Sequence, residues 1–112
     1  IATFASARTL SDDLRQVMAR LAEFKQEVED RRRVVNGLQS RLDRQSQDQE
    51  RVRRLLSSVP RDSDLYRRYL SDLGRQEDVV QRLQTERYEA DESLREAEGA
   101  LLAYVRDVEI KP

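Results

Sequence analysis

The feature that most constrains this chain is a heptad pattern, in which mostly apolar residues recur at alternating steps of three and four positions. A first series runs from Leu14 to Val59, and a second, in a shifted phase, runs from Tyr66 to Val108. A spacing of 3.5 residues, kept over about six heptads, lets two helices hold one apolar seam against each other as they supercoil. The pattern therefore predicts a coiled coil. The seam residues of the first series are Leu14, Val17, Leu21, Phe24, Val28, Arg31, Val35, Leu38, Leu42, Gln45, Gln49, Val52, Leu56 and Val59. Those of the second are Tyr66, Tyr69, Leu73, Gln76, Val80, Leu83, Arg87, Ala90, Leu94, Ala97, Leu101, Tyr104 and Val108.

The phase shift coincides with Pro60, which marks a turn between the two helices. Proline has no N–H to donate and costs about 3 kcal/mol or more inside a helix. The turn ends with Asp62 and Ser63, and either side chain can cap the N–H groups that open the second helix. A short connection makes the two helices antiparallel neighbours. We predict one all-α domain, an antiparallel coiled-coil hairpin, with helices at about 10–58 and 64–109 and a turn at about 59–63.

A constant antiparallel register pairs the two series. The register that sets Val59 opposite Tyr66 also sets Gln49 opposite Gln76. Facing amides can satisfy each other's hydrogen bonds within a seam, whereas an unpaired buried amide costs roughly 1 to 3 kcal/mol. Polar seam residues can fix the register of a coiled coil. We therefore predict that Gln49 and Gln76 set the register, against the alternative that a long hairpin merely tolerates them.

Composition excludes several classes of function. The chain contains no Cys and no His, which removes thiol chemistry, imidazole bases and zinc sites of the usual kind. No run approaches the roughly 18 apolar residues that a membrane span requires. Carboxylates are abundant but scattered along the solvated helical faces. We expect no catalytic activity, no cofactor and no metal site, and the composition indicates no cellular compartment.

Charge is distributed unevenly, although the formal net charge is -1. Residues 50–68 carry six arginines against Glu50, Asp62 and Asp64. One interpretation is a basic tip that meets an acidic partner or a phosphate backbone, with Tyr66 and Tyr69 as stacking groups. The alternative is that the arginines form a solvated face and the tyrosines belong to the seam. The residues of this predicted interaction tip are Arg53, Arg54, Arg61, Arg67 and Arg68.

Apolar residues directly beside the seam suggest a second interface. Met18 and Leu70 follow a seam residue, whereas Val34, Leu55 and Val79 precede one. Such residues widen the apolar stripe and can pack a second hairpin to form a four-helix bundle. They can equally shield the seam of a monomer. The sequence thus predicts an oligomer face formed by these five residues, with a homodimer and a monomer as the open alternatives.

The residues around the turn resemble a group of bacterial proteins. The resemblance is carried by residues 49–53, by VPRDSDLYRRYL at residues 59–70 and by residues 76–78. They are similar to the helical hairpin at the C-terminal end of uncharacterised bacterial proteins in which a β-rich domain of unknown function precedes the hairpin. The resemblance implies a bacterial chain and a preceding domain. It does not indicate any particular activity or functional residue. Because the chain begins with Ile1 rather than Met, it is either a processed chain or a piece of a longer protein, and we expect the second.

These observations together favour a structural or protein-interaction coiled-coil arm. Its partner would be another protein or a second copy of the chain. One alternative is contact of the basic tip with nucleic acid, which we consider the less favoured partner, or with an acidic protein. Another is a stalk like those of bacterial secretion and flagellar export systems, for which only the architecture matches.

Overall fold

The computed structural model describes the backbone of residues 2–110 and the side chains of residues 11–109. Helix α1 spans Ala2–Ser57 and helix α2 spans Asp64–Ile110. The two helices pack against each other, and the described residues contain no strand. The predicted fold class is confirmed. Ile1, which bears on the expectation of a fragment, lies outside the described residues.

Helix α1 begins earlier than the predicted start near residue 10. The segment before the heptads contains Ala2, Ala5 and Ala7, and it has neither Gly nor Pro. Alanine has the highest helix propensity, and nothing in this segment interrupts the backbone hydrogen bonds. The heptad pattern therefore predicted the seam residues, but it did not predict where helix α1 begins.

The chain divides into two compact units, each of which contains a segment of both helices. The terminal unit comprises Ile1–Arg33 and Glu92–Pro112, and the turn unit comprises Val34–Asp91. The described residues of the terminal unit join the helices through the rings of Phe24 and Tyr104, whose centroids lie 5.0 Å apart. In the turn unit, polar side chains of the seam make hydrogen bonds from one helix to the other.

The core of each unit consists of predicted seam residues. Val28 and Ala97 are buried in the terminal unit, and Leu38, Val52 and Leu83 are buried in the turn unit together with the polar Gln49. Burial of an aliphatic side chain contributes roughly 1.5 to 3 kcal/mol before conformational entropy is subtracted. Burial among the described side chains thus falls on the positions that the heptads select.

Two predicted seam residues are exposed instead. Leu14 is exposed, and the register sets it opposite Lys111, which lies outside the described residues. Arg87 is also exposed and lies 3.8 Å from the carboxylate of Asp91. Arginine at a seam position can cover apolar surface with its methylenes while its charge reaches water. The prediction that these two residues fill the seam is therefore wrong.

The seam of the terminal unit contains one charged residue, Arg31, which connects the two helices. Its Nη1 donates a hydrogen bond of 2.7 Å to the backbone carbonyl of Ser93, on the other helix. Its Nε donates to Glu27 at 2.8 Å, and the carboxylate of Glu96 lies 3.9 Å from the guanidinium. The guanidinium stays hydrogen-bonded while its stem lies half-buried, which explains how a charge is accommodated at this position.

Serines satisfy the backbone groups at both sides of the turn. At the end of α1, the hydroxyls of Ser57 and Ser58 donate to the carbonyls of Arg54 and Leu55 at 2.9 and 2.8 Å. At the start of α2, the Oγ of Ser63 accepts a hydrogen bond of 3.1 Å from the N–H of Tyr66. Of the two capping residues that the sequence allowed, the structure uses Ser63.

Replacing Ser63 with alanine should lower the free energy of unfolding by about 1 kcal/mol, because the N–H of Tyr66 loses its acceptor. Ser71→Ala is the matched control, since Ser71 is exposed inside the same helix. Alanine is the better helix former there, so the control should be neutral or slightly stabilising. Urea denaturation followed by circular dichroism measures both variants. Equal stability of the two would contradict the capping role of Ser63.

Candidate interaction surface

Gln49 and Gln76, the two amides predicted to pair in the turn-unit seam, bond to carboxylates and not to each other. Gln49 is 8% exposed, and its Nε2 donates to Oε2 of Glu77 at 3.2 Å. The Nε2 of Gln76 donates to Oδ2 of Asp48. The prediction that the two amides bond to each other is therefore wrong. A carboxylate lies beside each amide, and a carboxylate is a stronger acceptor than an amide oxygen. The observed register is nevertheless close to the predicted one. Gln49 bonds to Glu77, one residue after Gln76, and Gln76 bonds to Asp48, one residue before Gln49.

One atom of this layer has no hydrogen-bond partner. The Oε1 of Gln76 is buried and accepts no hydrogen bond in the structure. Gln76 also lines a shallow groove of about 310 Å³ between the two helices of the turn unit. We call this the charged groove; its lining residues are Gln45, Asp48, Arg51, Val52, Asp72, Arg75, Gln76 and Val79.

The charged groove carries one Asp–Arg pair on each helix. On α1, Nε of Arg51 lies 3.0 Å from Oδ1 of Asp48, and on α2 Arg75 bonds to Asp72. The helices run in opposite directions, and Asp48 contacts Gln76, the neighbour of Arg75. Asp48 therefore lies at about the level of Arg75 on the other helix, and Asp72 lies at about the level of Arg51. The sequence signal for this arrangement was the spacing Asp-x-x-Arg in both helices, which composition and heptads alone did not single out.

The interaction tip contains arginines of two kinds. Arg53 pairs with Glu50 at 3.2 Å, and Arg67 pairs with Asp64. The others form no ion pair with any described residue; they are Arg54, Arg61 and Arg68. The carboxylates near the turn thus leave three of the five predicted tip arginines unneutralised.

A second groove, of about 330 Å³, lies at the turn end of the turn unit. It is lined by Arg53 and Arg61 together with Leu56, Ser57, Val59 and Tyr66. The structure therefore brings two of the predicted tip arginines to one groove, and the other three are not part of its lining. Tyr66 and Tyr69 are both half-buried, as their seam positions indicate, which limits them as stacking groups.

Exposed leucines accompany the tip arginines along the first turns of α2. Leu65 is 42% exposed and Leu70 is 52% exposed. They lie in the same helical stretch as Arg67 and Arg68. Leu65 was not among the predicted site residues, although its position directly before the seam residue Tyr66 was a signal for it. The turn end thus combines apolar and cationic surface.

Four of the five residues of the predicted oligomer face belong to the turn unit, and their heptad positions border both sides of the seam. With the seam residues at heptad positions a and d, Val34, Leu55 and Val79 are at position g, and Leu70 is at position e. In an antiparallel pair, the g positions of both helices border one side of the seam, and the e positions border the other. Met18 belongs to the terminal unit. Val79 lines the charged groove, so the g side of the turn unit is the side on which that groove lies.

The part of the chain that the structure describes contains neither a membrane-spanning stretch nor a metal-binding cluster. In residues 2–110, neither helix has a stretch apolar enough to cross a membrane. Within the same part of the chain, no cluster of His, Cys, Asp or Glu side chains could hold a metal ion. Comparison with protein-family models, curated proteins and solved structures finds no match for this chain. The resemblance of the turn region to the hairpin of bacterial proteins therefore stays a prediction.

Proposed function

We propose that this chain is a coiled-coil arm that binds a partner protein with the turn end of its turn unit. The observation that carries the proposal is the combination of Leu65 and Leu70, both exposed, with arginines that form no ion pair. Arginine is enriched in protein interfaces, and Leu65 and Leu70, at heptad positions g and e, add one exposed apolar side chain on each side of the seam beside these arginines. The groove at this end adds a concave surface lined by both apolar and cationic side chains.

The architecture supports the proposal because the helices satisfy their own seam. Val52 and Leu83 are almost fully buried within the turn unit. The side chains that remain for a partner are therefore held by helices that form without that partner. A preorganised surface loses less conformational freedom on binding than a segment that must fold first.

The charge of the tip favours an acidic protein segment as the partner. Arg54, Arg61 and Arg68 lack carboxylates in the described chain, so an acidic partner can provide them. Nucleic acid is the second candidate, since the same arginines could contact phosphates. Burial of Tyr66 and Tyr69 leaves that candidate with few groups for base stacking.

Reversing the charge of the free tip arginines should abolish the selection of acidic peptides. We would pan a random peptide library against the wild type, against a tip variant and against a control variant. The tip variant carries Arg54→Glu, Arg61→Glu and Arg68→Glu. The control carries Arg15→Glu, Arg44→Glu and Arg82→Glu, which change the net charge equally at exposed arginines farther from the turn.

We expect the wild type and the control to enrich the same peptides, rich in Asp and Glu, and the tip variant to bind them at least tenfold more weakly. If the tip variant and the control variant both failed to enrich acidic peptides, the peptides would be bound by general charge attraction. That result would contradict a site at the tip. Fluorescence anisotropy with a single-stranded oligonucleotide over a salt series tests the second candidate. Tip-dependent binding with a steep salt dependence, in the absence of peptide selection, would replace the proposed partner with nucleic acid.

A further inference from the structure

We propose that the turn unit dimerises with a second copy of this chain through the charged groove. The inference rests on the proposed function as an interaction arm, but it uses a different surface from the tip. The groove is shallow and lies between the helices, and four of its eight lining residues are the two Asp–Arg pairs. A surface whose charges alternate in this way is complementary to another surface that has the same alternation.

A copy of the groove has the charges that the groove requires. A twofold axis that lies in the interface along the groove sets α1 of one copy over α2 of the other. Residues at the same level then face each other, so that Asp48 meets the partner's Arg75 and Arg51 meets the partner's Asp72. The symmetry repeats both contacts, as an isologous interface requires. All four charge contacts across the interface are attractive.

The residues around the groove extend this complementarity. Arg41 and Glu86 occupy position g at nearly the same level of the two helices. The same axis sets Arg41 over the partner's Glu86. Val34, which is 56% exposed, and the half-buried Leu55 and Val79 occupy further g positions. The face thus has apolar residues on both sides of a charged centre, which a four-helix bundle can cover.

The buried oxygen of Gln76 gives an independent reason for an occupant. A buried acceptor without a donor is unfavourable, and Oε1 of Gln76 accepts no hydrogen bond within the chain. The proposed axis brings α1 of the partner over Gln76. Gln45 lines the same groove and makes no hydrogen bond with a described residue through its side chain. The register sets Gln45 opposite Val80, about one helical turn from the level of Gln76, so the partner's Arg51, which lines the same groove, is the nearer donor.

Charge inversion tests the proposal through two complementary variants. The first carries Asp48→Arg and Asp72→Arg, and the second carries Arg51→Asp and Arg75→Asp. Each variant alone sets like charges against each other at all four contacts, so each should dimerise at least tenfold more weakly than the wild type. An equimolar mixture of the two restores opposite charges at every contact. Sedimentation equilibrium should therefore show a dimer for the wild type and for the mixture, and a monomer for each variant alone.

Several outcomes would overturn the proposal. A wild type that stays monomeric up to its solubility limit would do so, as would variants that dimerise alone or a mixture that stays monomeric. Circular dichroism shows whether each variant folds. If either does not, Arg51→Ala with Arg75→Ala is the second variant, since both side chains are largely exposed and their removal should weaken the dimer without unfolding it.

The tip variant of the preceding section separates this inference from the proposed function. It leaves the charged groove intact and should dimerise as the wild type does. Loss of acidic-peptide binding with an intact dimer would concern the tip alone. Peptide binding by a strictly monomeric wild type would support the proposed function while rejecting the dimer.

Discussion

Replacing Leu83 with alanine is expected to lower the free energy of unfolding of this chain by about 2 to 5 kcal/mol. Leu83 is 1% exposed and is, with Val52, one of the two largest fully buried side chains. Truncation removes the apolar area that the seam covers, and it leaves a cavity that the neighbouring residues fill only in part. We expect a value in the lower half of the range, because a seam between only two helices can close on a cavity more readily than a deep core.

Leu70→Ala is the matched control for this prediction. Leu70 lies in the same helix and the same unit, but it is 52% exposed. Its truncation should change stability by about 0.5 kcal/mol or less. Urea denaturation followed by circular dichroism gives both values. If the two variants lost the same stability, the seam would not be the main source of stability in the turn unit.

Replacing all three glycines with alanine should raise the free energy of unfolding by about 1.5 to 3 kcal/mol in total, since glycine costs roughly 0.5 to 1 kcal/mol at each helix-interior position. A methyl group at any of these positions meets nothing within 4 Å in the structure. The gain comes from the reduced conformational freedom of the unfolded chain, and no new contact is needed. The substitutions are Gly37→Ala, Gly74→Ala and Gly99→Ala.

The three single variants and the reverse substitution Ala100→Gly check this prediction. Ala100 is exposed in α2, so its replacement should cost about what each glycine substitution gains. The sites are far apart along the helices, and their effects should add. Thermal denaturation of these four variants, the triple variant and the wild type measures the series. A triple variant no more stable than the wild type would show that one of these positions has a conformation or contact that a methyl group disturbs.

The heptad pattern predicted the fold and the core because both depend on the spacing of apolar side chains along the helices. Val28, Leu38, Val52, Leu83 and Ala97 are all buried and all lie at predicted seam positions. Pro60 located the turn for an equally general reason, since no helix interior tolerates a residue that lacks the N–H and clashes with the preceding turn. Periodicity and backbone chemistry are enough to predict features of this kind.

The hydrogen bonds of the polar layer could not be predicted in the same way. The register set Gln49 and Gln76 at the same level, and the structure agrees with that level to within one residue. The choice between an amide and a carboxylate acceptor depends on the side-chain conformations of Asp48 and Glu77, which flank the seam. Spacing along the sequence contains no information on those conformations.

The candidate surfaces were predicted only in part. Composition identified a basic turn region, but ion pairs at a spacing of three residues decide which arginines are free, and they neutralise Arg53 and Arg67 while leaving Arg61 without a carboxylate. The predicted oligomer face stays a prediction, and it groups residues directly before the seam with residues directly after it. The antiparallel direction of the helices places those residues on opposite sides of the seam.

The hydrogen bond between Arg31 and the carbonyl of Ser93 has a mechanical consequence for the terminal unit. Apolar side chains in a seam can slide past one another by a heptad with little change in the area that they cover. A guanidinium that donates to one particular backbone carbonyl cannot slide without losing that partner. Arg31 therefore opposes sliding of the two helix segments along each other. A force that pulls one segment along its axis is transmitted to the other through this hydrogen bond until the bond breaks.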